Sequence, residues 1–307
     1  MGTPDFAVGV LQRIIESDYK VVGVITAPDR PAGRGRKLRQ SAVKEYAIAQ
    51  NLTVLQPTNL KAPEFLEELK SLNANLQVVV AFRMLPKLVW AMPELGTFNL
   101  HASLLPEYRG AAPINWAVIN GESKTGVTTF FIDEKIDTGA IIASDEVPIA
   151  SRETAGSLHD KLMVAGSSLV VSTLEMITKD QVTPLPQNKN LEYKEAPKLT
   201  TENTQIDWRL PIEKIDSFIR GLSPYPSAWT VLINGDAELK VKIYSCDMEI
   251  ASHSHKLGEI ISEKRNMKVA TQGGYLHILE MQIPGKRKMA IGDLLNGFQI
   301  EEDAYFS

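Results

Sequence analysis

The chain has 307 residues, 44% hydrophobic and 23% charged, with a formal net charge of −4. That length suits two domains, and the composition excludes both a disordered polymer and a chain coated in positive charge. The single cysteine, Cys246, excludes an intrachain disulfide and a cysteine-based zinc site and points to a reducing, cytoplasmic compartment.

The chain opens with a helix signal, Thr3 as cap, Pro4 at the first helical position and Asp5 in the first turn. An open α/β domain calls for a strand before that helix, and the residues ahead of it leave no room for one, so the expectation is a domain without its first strand or a chain that starts late. "VVGVIT" (21–26) and "LQVVVAF" (76–82) are short, β-branched and apolar, as strands buried on both faces of a parallel sheet are. Helices are predicted over 41–50 and 62–70, the second with Pro63 at its start. "TFNL" (97–100) and "GVTTFFI" (126–132) read as further strands, and 153–179 as a long amphipathic helix. No apolar run comes near the roughly 18–20 residues of a membrane span, and no basic-then-apolar leader opens the chain.

This alternation predicts an α/β domain with a Rossmann-like open parallel-type sheet over residues 1–183. Residues 184–205, polar and proline-bearing, read as a linker. From 206 to 307 a short helix at 211–221 precedes five short strands separated by tight turns, which predicts a small antiparallel, OB-like barrel.

Three stretches carry chemistry. In "FNLHASLLPEYRG" (98–110), Asn99 and His101 share one face of an extended strand, because side chains repeat every two residues. In open α/β folds ligands bind beyond the strands' carboxyl ends. A satisfied core histidine beside a turn-forming asparagine is the competing reading. In "FFIDEKIDTGAII" (130–142), Asp137 is placed to reach a histidine on a neighbouring strand, whereas Asp133 reads as an ordinary Asx-turn. Arg30, Arg34, Arg36, Lys37 and Arg39 form a glycine-interleaved basic loop that suits a phosphate backbone, or else a solvated surface. "GKRKM" (285–289), with Lys286, Arg287 and Lys288, is a weaker basic cluster. His253 and His255 lie in a polar turn and read as solvent-exposed. No G-x-G-x-x-G, P-loop or G-x-S-x-G motif is present, which disfavours a dinucleotide oxidoreductase, an NTPase and an α/β-hydrolase.

In order and spacing, "GTPDFAV", "DRPAGRGRKL", "NLHASLLPEYRGAAPI", "GVTTFFIDEKIDTG" and "IDW" (206–208) together resemble the bacterial-type methionyl-tRNA formyltransferases, a branch of the tetrahydrofolate-dependent formyltransferases. The resemblance covers nearly the whole chain. It implies formyl transfer from 10-formyltetrahydrofolate, without a metal, to methionyl initiator tRNA by a monomer. It implies a catalytic trio of Asn99, His101 and Asp137, with His101 taking the proton, Asn99 donating to the oxyanion and Asp137 holding the imidazole. The folate is expected against Ala81, Phe82, Arg83 and Leu85, against Ser103, Leu104, Leu105 and Pro106 after the histidine, and against Ile136, Thr138 and Gly139 beside Asp137. The Pro106 peptide bond is expected to be cis, and Arg109 to order the loop or touch a ligand. The basic loop and the barrel are expected to grip the tRNA. Two departures stand out: the missing first strand, and Arg83 where the family often has glycine. Sugar-amine or ribonucleotide-amine formyl transfer, or a non-catalytic RNA-binding role, are the alternatives left open.

Overall fold

The computed structural model describes residues 1–32, 37–188 and 192–307. Where the sequence suggests one boundary, the chain forms two interleaved units. The first comprises Met1–Gly110, Thr125–Pro148 and His159–Glu195, and the second Ala111–Lys124, Ile149–Leu158 and Ala196–Ser307.

In the first unit, Val24–Ile25 pairs in parallel with Val54–Leu55, and Gln77–Val80 in parallel with Thr97–His101. The expected parallel core is therefore present. Lys124–Phe131 then joins Thr97–His101 antiparallel, with Asn99 opposite Phe130 and His101 opposite Thr128, and Ile141–Pro148 completes the four-stranded sheet. The sheet is thus mixed at this edge, although the intervening residues include helix Pro113–Ile119. Helix Ala42–Ala49 starts where the Ser41 hydroxyl accepts the Lys44 amide at 3.1 Å. The first helix, Asp5–Ile15, begins one residue later than its sequence signal: Pro4 is its N-cap, and no side chain caps it.

Helix Ala155–Thr178 is 24 residues long and apolar enough by length and composition to cross a membrane, although no unbroken apolar run marks it in the sequence. Here Leu162, Val170, Thr173 and Leu174 are buried, and Gly166 lets the helix approach Leu100 and Val127, the strand residues behind the future site.

Met1 and Gly2 lie between the two parallel pairs: Gly2 donates to the Ile25 carbonyl at 3.1 Å, and the Met1 carbonyl accepts from Val80 at 2.9 Å. A groove of about 570 Å³ continues past Met1, lined by Val22, Val24, Leu72, Leu76 and Val78 among others.

The second unit matches the barrel expectation and adds two short strands. Its strand order runs from Ile260–Glu263 through Asn266–Thr271, Gly274–Gln282, Ala237–Ile250 and Ala228–Asn234 to Tyr305–Phe306, with Met289–Ala290 beside Gly274–Gln282. A bridge between Glu259 and Tyr305 brings the last strand back to the first, so the sheet is nearly closed. Gly235, with φ +57°, opens the two-residue turn that joins the two long strands. Helix Ile212–Leu222 presses Ile212, Ile215, Ile219 and Leu222 into the barrel core with Leu232, Ile243 and Leu276. The Trp208 of "IDW" is structural: it stacks on Phe306 and donates its indole N–H to Thr230 Oγ1 at 2.9 Å. His255 is exposed, as expected, and His253 is half-buried. His255 contacts Glu259 at 2.6 Å, and the His253 ring nitrogen Nε2 lies 2.9 Å from the Thr271 carbonyl. Their partners are close in sequence or across a hairpin, and only the fold brings them into reach.

Candidate active site

Period-two alternation on Thr97–His101 sends Phe98 and Leu100 into the core and leaves Asn99 and His101 on the other face. His101 ends the strand, 7% exposed. Its Nε2 lies 2.8 Å from the Tyr108 carbonyl oxygen, so that nitrogen carries the proton and donates. Its Nδ1 faces Asp137 Oδ2 at 3.8 Å. Asp137 Oδ2 also accepts the Gly110 amide at 3.0 Å. Asp137 was expected to orient the imidazole; the close contact is instead a backbone carbonyl, and Asp137 stands one step further off. Asn99 Oδ1 is buried and has no hydrogen-bond partner among the described residues, an acceptor left for a ligand's N–H or O–H.

Asp133 makes the expected turn, accepting the Lys135 amide at 2.9 Å and the Thr138 hydroxyl at 2.8 Å. Of the residues expected around folate, four are buried in the scaffold. Leu85 lies in the apolar cluster with Val79 and Val89. Ser103 is fully buried and donates to the Glu107 carbonyl at 2.6 Å. Leu105 and Gly139 are buried as well. Ser103, Leu105 and Gly139 act on a ligand only through the shape they hold, whereas Leu85 also borders the neighbouring cleft. Ala81, Arg83 and Ile136 are exposed, and Phe82, Leu104, Pro106 and Thr138 are half-buried. The Leu105–Pro106 bond is cis, as expected. Arg83 is tied down: its guanidinium donates to the carbonyls of Thr58, at 3.0 Å, and Pro57, and lies 5.7 Å from the Phe82 ring. Residues 83–88, Trp90, Thr58–Lys61 and Glu134 line a cleft of about 770 Å³, the size of a small-molecule site.

Arg109 orders the loop. Its guanidinium donates to Gln187 Oε1, from Nε at 3.1 Å, and sits 5.4 Å from the Tyr193 ring. Gln187, the Tyr108 carbonyl and the Gly110 amide were not found by sequence reasoning. Two are backbone atoms that carry no residue signature, and Gln187 sits in the stretch read as a linker.

The basic loop is a hairpin, Arg30–Ala32 against Lys37–Arg39, with Arg30 directly opposite Arg39 and both exposed. Arg34 and Arg36 lie outside the described residues, as does the Lys37 side chain. On the barrel, Lys286, Arg287 and Lys288 are exposed, and Lys288 pairs with Glu280 at 2.9 Å. No group of three or more metal-ligating side chains forms among the described residues.

Comparison with known proteins agrees with this geometry. Residues 1–174 match the formyl transferase family and 198–299 the formyl transferase C-terminal domain. The methionyl-tRNA formyltransferase of Flavobacterium johnsoniae is 58% identical over 304 residues, 99% of this chain and 96% of that protein. That of Bacteroides thetaiotaomicron is 50% identical over 307 residues, 98% and 95% of the two chains. The fold is shared with the N-formyltransferase of Helicobacter canadensis crystallised with folinic acid and dTDP-3-aminofucose (TM-score 0.64, 22% identity, 90% of this chain and 96% of that one). It is also shared with HypX of Aquifex aeolicus in complex with tetrahydrofolic acid (TM-score 0.60, 20% identity, 81% of this chain, which spans 43% of that one). The chain belongs to the formyl transferase family, in its methionyl-tRNA formyltransferase branch.

Proposed function

We propose that the chain transfers the formyl group of 10-formyltetrahydrofolate to the amino group of methionine on initiator tRNA, acting as a monomer in the cytoplasm. The observation that carries the reading is the meeting of His101, Asp137 and the unsatisfied Asn99 carbonyl at the end of one strand. The co-substrate supplies an activated formyl carbon bound to nitrogen, and the residues supply the rest. Asn99 Oδ1 accepts an N–H of the incoming amine, and the Asn99 amide nitrogen donates to the formyl oxygen as it gains negative charge. One such donor is worth about 3–4 kcal/mol of barrier. With Nε2 already protonated against Tyr108, it is Nδ1 that takes the amine's proton, and the Asp137 carboxylate stabilises the imidazolium. The imidazolium returns a proton to the departing nitrogen. No nucleophilic side chain is used.

The cleft lined by Arg83, Leu85 and Glu134 accommodates the folate. For the tRNA, the carrying feature is the Arg30–Arg39 pair. Like charges directly across a hairpin repel, and a phosphate laid over them relieves that repulsion. Arg34, Arg36 and Lys37 belong to the same grip, and Lys286, Arg287 and Lys288 to a second one on the barrel.

The test is incubation with 10-formyltetrahydrofolate and methionyl initiator tRNA, followed by mass spectrometry of the aminoacyl end. Formylation by the parent protein and its loss in His101→Ala support the reading. A folded parent that formylates an amino-sugar nucleotide but not the tRNA, or an undiminished His101→Ala, overturns it.

A further inference from the structure

Two short backbone segments hold the His101–Asp137 pair. Tyr108 and Gly110 lie on one: the Tyr108 carbonyl takes the imidazole Nε2–H, and the Gly110 amide binds Asp137 Oδ2. Asp137 to Gly139 form the other. Tyr108 (φ +59°) and Asp137 (φ +55°) are both in the left-handed region, a conformation that non-glycine residues seldom adopt and that persists only where surrounding contacts impose it.

One buried side chain touches both segments. Gln187 is 6% exposed. Its Nε2 donates to the Asp137 carbonyl at 3.1 Å and to the Gly139 carbonyl at 2.8 Å. Its Oε1 accepts from Nε and Nη2 of Arg109, the residue between Tyr108 and Gly110. Both amide hydrogens and both lone pairs are used, and the orientation is unambiguous, because a reversed amide would set oxygen against two carbonyls and nitrogen against a guanidinium. Long-range pairing brings the residue there. Leu185 exchanges two backbone hydrogen bonds with Ile141, at 2.9 and 2.8 Å, and that antiparallel register sets position 187 opposite 139.

We propose that Gln187 is the positioning residue that sets the spacing of His101 and Asp137, joining the turn that carries the carboxylate to the segment that holds the imidazole. At 3.8 Å the two groups stand about 0.6–1 Å beyond hydrogen-bond distance, so a displacement smaller than a bond length decides whether the proton on Nδ1 is shared with the carboxylate. Gln187 touches no reacting atom. The nearest substitutes each lose part of this bridge. Met has the length without the polar atoms, Glu keeps the acceptor for Arg109 but turns oxygen on two carbonyls, and Asn falls one methylene short.

The inference rests on the formyl-transfer reading, and its experiment separates the two. Gln187→Met and Gln187→Asn are compared with the parent by steady-state kinetics and by NMR of ring-¹⁵N-labelled histidine, the five histidines being resolved and His101 assigned from its loss in His101→Ala. In Gln187→Met, kcat falls on the order of 100-fold while KM for both substrates stays within about 3-fold, as displacement by roughly 1 Å predicts. The His101 ring signals move and those of the other four histidines do not. Gln187→Asn shows the same pattern, so a failure of either variant to fold leaves the other to decide. Unchanged kcat, or a loss of activity with unmoved His101 signals, overturns the proposal. A parent that transfers no formyl group sinks the functional reading alone, and the ring signals then decide the positioning role.

Discussion

Gly139→Ala isolates how tightly the Asp137 turn is built. A Cβ at position 139 would overlap the Phe131 carbonyl oxygen, and it would lie 2.9 Å from the Phe131 carbonyl carbon and 3.3 Å from the Phe130 ring. Neither backbone is free to retreat. Phe131 donates to Ala140 at 3.0 Å, Ile132 donates to Thr97 at 2.9 Å, and the Gly139 carbonyl is held by Gln187. Relief of that overlap takes a shift of more than about 1 Å between the two segments. Overpacking of this kind costs about 1–3 kcal/mol, and one or two weakened hydrogen bonds add about 1 kcal/mol each, so the expected loss is about 2–5 kcal/mol. Gly121→Ala is the control: with φ +74° and nothing within 4 Å of its Cβ position, it bears backbone strain only, about 1 kcal/mol. Thermal unfolding and the formyl-transfer rate are measured on both. Gly139→Ala should melt clearly below Gly121→Ala and lose on the order of 100-fold in rate while still folded, since the displaced turn carries Asp137. If Gly139→Ala melts no lower than Gly121→Ala, or keeps the parent rate, the steric account of this turn is wrong.

The Met1 ammonium, buried between strands, has its pKa lowered by that burial from 8.0 to about 5. The unfolded chain therefore holds a proton that the folded chain releases between pH 5 and 8. Stability of the chain with this free amine rises with pH across that window by about 4 kcal/mol and is lost again on acidification. N-terminal acetylation, or an apolar extension that runs into the groove past Met1, should flatten this dependence in urea unfolding at pH 5 and pH 8; equal pH profiles before and after would contradict it. In the second unit, Asp216 is buried between Arg152 at 2.7 Å and Arg220 at 2.8 Å, so Asp216→Ala leaves two guanidinium groups facing each other and should cost about 3 kcal/mol in urea unfolding, a cost below about 1 kcal/mol refuting the pairing. Beside it, burial first and then the Asp216 charge push the Cys246 thiol up, so iodoacetamide at pH 8 should label Cys246 only on unfolding, and native labelling counted by mass spectrometry would contradict its burial.

Much of the active strand was legible in the sequence. Apolar runs at 21–26 and 76–82 marked the parallel core because strands buried on both faces have no polar positions to alternate. Asn99 and His101 were readable as one face from their spacing alone, and a glycine-led turn joins two barrel strands where "NGD" stands. Helix Ala155–Thr178 was foreseen as well, from an apolar stripe long enough to cover the sheet. What holds these residues in working geometry was not legible. The Tyr108 carbonyl that binds His101 and the Gly110 amide that binds Asp137 belong to the backbone, which every residue type supplies alike. Gln187 reaches the turn because Leu185 pairs with Ile141, a residue far back in the chain, and Arg30 faces Arg39 through a hairpin register. Local pattern determined which residues form strands and which face carries the imidazole. Pairing between distant segments, whose register no short window of sequence encodes, decided the distances at which those residues act.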